Sequence, residues 1–356
     1  MARNDRAAAL RVETIRGQTV ENRHTVHAVV VDRAGALVAR AGDPALIAFW
    51  RSCAKPFQAM PLVLEGVAEQ FGITAEELAL CCASHSSEPR QVEIVRALLA
   101  KIGCAERDLR CGPHPPLSEA VAEDYARRGV AMTAVYSNCS GKHAGMLALA
   151  RHHGWSIDRY TDPEHPVQRR CLAEVSRWTS TPEAHISTAV DGCGVVTFAI
   201  PLQAMALAFA RLSHAEAGTR TAERMGTDTF RLPAAALRVP QAMLSHPFLI
   251  AGAGRPCSVI MSGYPGRVIT KVGAAGVYCA ALMNEGLGIA LKVEDGSGLA
   301  AVVALAAILK ALGLGALPEQ VSEPPVLNTR GETVGYLRGN GTLEHVNDAG
   351  ASRQGD

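Results

Sequence analysis

Hydrophobic and polar positions alternate differently in successive parts of the chain. From Arg11 to Arg40 the residues favour strands. Val26-His27-Ala28-Val29-Val30-Val31 predicts a strand, Asp32-Arg33-Ala34-Gly35 a turn and Ala36-Leu37-Val38-Ala39 the returning strand. Apolar spacing then becomes helical. The run from Phe57 to Phe71 predicts a long helix beginning near Ser52. Thr74-Ala75-Glu76-Glu77 is a capping signature ahead of Leu78 to Ala83. Further helices are expected over Arg90–Ile102, Ser118–Arg128, Ala144–His152, Val167–Thr179, Leu202–Leu212 and Ala234–Ser245, with short strands at Ala134–Tyr136 and Ile186–Val190. Strand character returns at Val259–Met261 and Val268–Lys271, which flank the hairpin signal Ser262-Gly263-Tyr264-Pro265-Gly266. Gly276–Ala281 and Ile289–Val293 extend this meander, and a helix follows Gly298.

This order predicts an α+β protein of one domain, residues 1–356. Strands near 10–45 and 255–340 would pair in one antiparallel sheet, and residues near 50–250 would form an inserted helical part. Alternating βα units are not seen, and no G-x-G-x-x-G follows a strand, which disfavours a dinucleotide-binding sheet. With 48% hydrophobic and 19% charged residues, the composition is that of a globular protein. A net charge of +1 without a basic block argues against nucleic acid as a partner. The most apolar stretch, Gly298 to Leu309, is too short to span a bilayer, so no membrane partner is expected. The polar start, Met1 to Leu10, lacks the apolar region of a secretory signal. The ten cysteines include no C-x-x-C pair and suit buried, reduced thiols in the cytoplasm.

Polar clusters at element boundaries mark candidate chemistry. Ser52 and Lys55 are three residues apart and would share one helix face, where a neutral amine can take a hydroxyl proton. Ser84-His85-Ser86-Ser87-Glu88 ends an apolar helix. Ser137-Asn138-Cys139-Ser140-Gly141-Lys142-His143 is a strand-to-helix turn, and Asp191-Gly192-Cys193-Gly194 ends a strand. Lys271 precedes the Gly-containing segment Val272-Gly273-Ala274-Ala275-Gly276. Cys139 and Cys193 read first as core thiols; as a pair they could bind a soft metal with His143 or Lys142 as a third ligand, although their separation carries no metal-binding spacing.

Together these segments resemble the Rhizobium etli-type L-asparaginases, the third structural class of asparaginases. The resemblance rests on Arg51-Ser52-Cys53-Ala54-Lys55-Pro56-Phe57-Gln58, Ala83-Ser84-His85-Ser86, Asn138-Cys139-Ser140-Gly141-Lys142-His143-Ala144-Gly145-Met146, Val190-Asp191-Gly192-Cys193-Gly194 and Lys271-Val272-Gly273-Ala274, in the family's order across residues 10–335. It implies a fold similar to serine β-lactamases and glutaminases, a homodimer, and hydrolysis of L-asparagine to L-aspartate and ammonia. It also implies two Ser–Lys tandems, Ser52 with Lys55 and Ser84 with Lys271, with Ser52 as nucleophile. Lys55 and Lys271, if close, would depress each other's pKa. Cys139, Lys142 and Cys193 match the family's zinc ligands, with Asp191 beside the metal-bound water or the substrate, where it is a candidate to pair with the α-amino group. Arg51 and His143 are candidates for carboxylate contacts. Glutaminase or penicillin-recognising activity on a Ser-x-x-Lys scaffold is the alternative. The chain departs from the family pattern at Ser87, where glycine is usual, and at Ala275, where glutamate is usual.

Overall fold

The computed structural model describes residues 8–213, 230 and 232–346. They form two compact units. One comprises Met1–Trp50, Ile200–His214 and Thr270–Asp356; the other comprises Arg51–Ala199 and Ala215–Ile269.

The first unit is built on a nine-stranded sheet. Its strands run in the order Pro325–Leu327, Thr333–Asn340, Leu10–Arg16, Thr19–Asp32, Leu287–Val293, Val277–Leu282 and Val268–Val272, and only the Thr270–Val272 end of the last belongs to this unit. Leu37–Ala41 branches from Thr19–Asp32 and carries the short Glu344–His345. N- and C-terminal strands pair antiparallel as expected: Leu10–Arg16 with Thr333–Asn340, and Val26–Asp32 with Leu287–Val293. Glycines show what covers the sheet. A Cβ on Gly288 would lie 1.9 Å from the Ala206 carbonyl oxygen of helix Leu202–Leu212. A Cβ on Gly339 would lie 2.7 Å from Ala307 of helix Gly298–Ala311. The register aligns Gly288 with Val31, and Gly339, through Val12, with His24. Side chains alternate along a strand, so the two helices cover opposite faces. Burial from both sides explains why the apolar run Ala28-Val29-Val30-Val31 has no polar break: all four residues are fully buried.

The second unit is mostly helical. Its most enclosed helix, Ser140–His152, is buried continuously from Ser140 to Ala150. Two small residues let neighbours approach it: a Cβ on Gly141 would lie 2.3 Å from the Leu80 carbonyl oxygen, and one on Gly145 would lie 3.0 Å from Cys81 Sγ. Helices Ala75–Cys81, Pro89–Lys101 and Pro166–Thr179 pack around it. The strands Ser187–Val190 and Val196–Pro201 pair antiparallel.

Three expectations need correction. The Phe57–Phe71 helix is broken into Lys55–Gln58, Met60–Leu64 and Val67–Gln70. Pro61 has no N–H to continue the ladder, and Gly66 turns left-handed at φ +80°. Ala134–Tyr136 is a 3₁₀ turn rather than a strand. Val259–Met261 lies within helix Pro256–Gly263, so Gly263–Gly266 joins a helix to a strand rather than two strands. β-branched residues there pack on a helix face, and burial outweighs their strand preference. Among the described residues no helix is long and apolar enough to cross a membrane.

Candidate active site

Four of the five polar clusters meet inside the helical unit. Arg51–Ala54 is a 3₁₀ turn entered through Arg51 at φ +51°. It ends at Lys55, whose side chain is 1% exposed. An amine so deeply buried needs hydrogen-bond partners within the protein. Lys55 Nζ donates to the Ala83 carbonyl at 2.6 Å and to Ser84 Oγ at 3.0 Å, with the Asn138 carbonyl at 3.5 Å. No hydrogen bond joins Ser52 to Lys55 among the described residues. Ser52 is half-buried, whereas Ser84 is buried.

Ser84 follows helix Ala75–Cys81 and is anchored by its N–H to the Ile250 carbonyl at 2.9 Å. The next residues, His85, Ser86 and Ser87, are fully buried. Ser140 Oγ donates to the Val135 carbonyl, so it accepts from His85 Nε2 at 2.8 Å. His85 Nδ1 then accepts from the Ser87 N–H at 3.1 Å. Both ring nitrogens are satisfied by a neutral imidazole. Burial, aided by the charges of Lys55 and His114, lowers the His85 pKa to about 3.

A second cluster joins the other two turns. Arg51 Nε pairs with Asp191 Oδ1 at 2.7 Å, and the Gly192 N–H donates to the same oxygen at 2.8 Å. Burial raises the Asp191 pKa, but Lys142, the Gly192 N–H and Arg51 outweigh it and the carboxyl is held below its usual range. Lys142 Nζ lies 3.0 Å from Cys193 Sγ. The Cys139 thiol and Lys142 stabilise a thiolate on Cys193 and lower its pKa to about 4, against the opposing effect of burial. Cys139 is pushed up to about 11, first by its bond to Cys193 and then by burial.

His143 is fully buried and hydrogen-bonds Tyr160 through Nδ1 at 2.7 Å. Tyr160 Oη also accepts from the Arg110 N–H, so its own proton goes to His143 and leaves Nε2–H without a partner among the described residues. Tyr160 and His114 support the site but stand singly in the sequence, where no pattern marks them, whereas Ser140 lies within the polar cluster Ser137–His143. Lys271 lies fully buried in the sheet unit, its Nζ donating to the Val272 carbonyl at 3.0 Å. The two departures share a backbone feature: Ser87 and Ala275 adopt left-handed φ of +59° and +57°. Ser87 Oγ donates to the Tyr136 carbonyl at 2.5 Å, which helps hold a conformation unfavourable to residues with a Cβ.

A buried lysine amine on a serine hydroxyl, beside a cluster of thiols and a paired carboxylate, is equipped for acyl transfer. A sequence profile described as L-asparaginase II matches residues 12–339. The chain belongs to this asparaginase family. Membership makes it a hydrolase acting on amides. No curated protein matches the sequence. Among solved structures, a β-lactamase from Mycobacterium bovis is similar at 15% identity and a TM-score of 0.36, over 81% of this chain and 95% of its own. A β-lactamase candidate from Bacteroides dorei is similar at 12% identity and a TM-score of 0.37, over 82% and 87%.

Proposed function

We propose that this family member is an L-asparaginase of the Rhizobium etli type, forming an acyl-enzyme on a serine served by Lys55. The buried Lys55–Ser84 contact carries the reading. Ser52 Oγ attacks the side-chain amide carbon of asparagine. Lys55 and Ser84 move its proton to the departing nitrogen, and ammonia leaves as the C–N bond breaks. Water then cleaves the ester to aspartate and restores the serine proton. Backbone N–H groups of the Arg51–Ala54 turn are the candidates for the oxyanion site. Asp191, an acceptor with a lowered pKa, is suited to the substrate's ammonium group. Arg51 and the His143 Nε2–H are suited to its carboxylate.

Among the described residues no cluster of three or more His, Cys, Asp or Glu gathers as a metal site. A set with a lysine falls outside that description, and Cys139, Lys142 and Cys193 present two sulfurs and an amine of the kind a soft divalent ion takes. They fit zinc once Lys142 and Cys139 lose their protons. Zinc held there would act as a Lewis acid on a substrate oxygen. Ten cysteines with no disulfide among the described residues favour a reducing, cytoplasmic setting, and a homodimer is the expected assembly, measurable by sedimentation.

One observation favours a second assignment: Lys55 contacts Ser84, not Ser52, so Ser84 itself is a candidate nucleophile. Mass spectrometry of enzyme quenched in acid during turnover separates the two. An added aspartyl mass on the peptide holding Ser52 is expected. The same mass on the Ser84 peptide overturns the assignment, and release of ammonia from glutamine but not asparagine overturns the substrate.

A further inference from the structure

Away from these clusters, the helical unit holds a concave site. A cavity of about 310 Å³ opens beside helices Pro89–Lys101 and Glu119–Arg127. Val92 and Val130 form apolar walls, and Tyr125 and Tyr136 form the aromatic part. The two rings meet edge to face with centroids 5.4 Å apart. Two guanidinium groups line the same space. Arg96 lies 5.7 Å from the Tyr136 ring centre, and Arg128 lies 5.7 Å from that of Tyr125.

The arginines are held in place from outside. Arg96 Nε pairs with Glu106 at 2.6 Å, and Arg128 Nη1 with Asp124 at 3.0 Å; neither acid lines the cavity. The single acidic residue in the lining, Glu93, is tied to Arg90 at 3.0 Å. Fixed guanidinium planes, aromatic faces and apolar walls together match a flat apolar body bearing one carboxylate.

The back of this cavity reaches the active-site loop. Tyr125 Oη donates to the Ser87 carbonyl at 2.8 Å, and the Tyr136 carbonyl accepts from Ser87 Oγ at 2.5 Å. Ser87 in turn donates its N–H to His85, which is adjacent to Ser84. Both tyrosines of the cavity therefore grip one left-handed residue, three positions from the serine that Lys55 contacts. A ligand that shifts the Tyr125 ring must strain or relax that grip.

We propose that this cavity binds a small aromatic carboxylate and that occupancy alters turnover through the Tyr125–Ser87 contact. The binding step stands independently, whereas the effect on turnover rests on the asparaginase reading above. Benzoate and uncharged benzamide are suitable probes for titration calorimetry on the full chain. Benzoate should bind about tenfold more tightly than benzamide, and Arg128→Gln should remove that preference. Arg128 is largely solvent-exposed, so the variant should fold. Equal binding of both probes, or unchanged benzoate affinity in Arg128→Gln, overturns the site.

Tyr125→Phe keeps the ring and deletes the bond to Ser87. Saturating benzoate should shift the KM for asparagine in the native enzyme by about threefold or more, and should leave the KM of Tyr125→Phe unchanged although benzoate still binds. An equal shift in both proteins, or none in the native enzyme, overturns the coupling. If asparagine is not hydrolysed at all, the calorimetric arm still decides the site.

Discussion

Lys55 Nζ lies 3.0 Å from Ser84 Oγ while its other close partner, Ala83, offers only a carbonyl oxygen. A carbonyl cannot donate, and neither can the more distant Asn138 carbonyl. When the amine is neutral, its lone pair therefore has one protein O–H to accept from among these contacts, that of Ser84. Lys55→Met keeps the buried volume and removes the base. Ammonia release from asparagine should fall by about 10²–10⁴-fold, with the circular dichroism spectrum unchanged. Near-native turnover in this variant rules out Lys55 as the base.

Much of this pairing was legible before the structure, and part was not. Ser52, Ser84, Cys139, Lys142, Asp191 and Cys193 stand out because they cluster with glycine and other polar residues where apolar periodicity stops. Structural units end there, and side chains from different segments can converge. The choice of partner for Lys55 was illegible. Ser52 and Lys55 have the spacing of a shared face, yet a four-carbon stem at the junction of a 3₁₀ turn and a helix can reach inward instead, and here it does. The sheet pairing was readable from its β-rich ends. The place of helix Leu202–Leu212 was not, because its periodicity marks an apolar face without saying that Gly288 opens the surface it covers.

The neutral state of His85 has a pH signature. Burial is the first cause of its low pKa of about 3, followed by the charges of Lys55 and His114. The unfolded chain binds a proton at this residue below about pH 6.5, and the folded chain does so only near pH 3. The stabilising contribution is thus fully present above pH 6.5 and is lost as pH falls from there towards 3. Urea midpoints of the native protein should drop more steeply between pH 6.5 and 4.5 than those of His85→Gln, which cannot titrate. Parallel curves would show that His85 does not carry this dependence.

Gly141 tests whether packing sets the site. A Cβ there meets the Leu80 carbonyl oxygen at 2.3 Å and its carbon at 2.8 Å, and both are backbone atoms that no rotamer change can move. Gly141→Ala must push helix Ser140–His152 from helix Ala75–Cys81, displacing Cys139 and Lys142 on one side and Ser84 on the other. The expected loss is about 3 kcal/mol by urea denaturation, at the upper end for overpacked sites. Gly298→Ala provides a contrast, since its backbone is not left-handed and its Cβ would meet nothing within 4 Å. A Gly141→Ala variant as stable as the native protein would mean that the helices have room to separate.

Cys193 decides the metal question. Its thiolate is the common partner of Cys139 and Lys142, so Cys193→Ser removes the strongest donor of the proposed set and leaves Lys142 beside a neutral hydroxyl. Native protein dialysed against zinc should retain about one equivalent by elemental analysis, and Cys193→Ser should retain almost none. Two deprotonated sulfurs hold zinc far better than one, so Cys139→Ser should show an intermediate loss. If zinc serves to hold substrate, a chelator should raise the KM for asparagine more than it lowers kcat. Equal zinc content in native protein and Cys193→Ser would place any bound metal elsewhere. A chelator effect confined to kcat would assign zinc to the chemical step instead of to substrate holding.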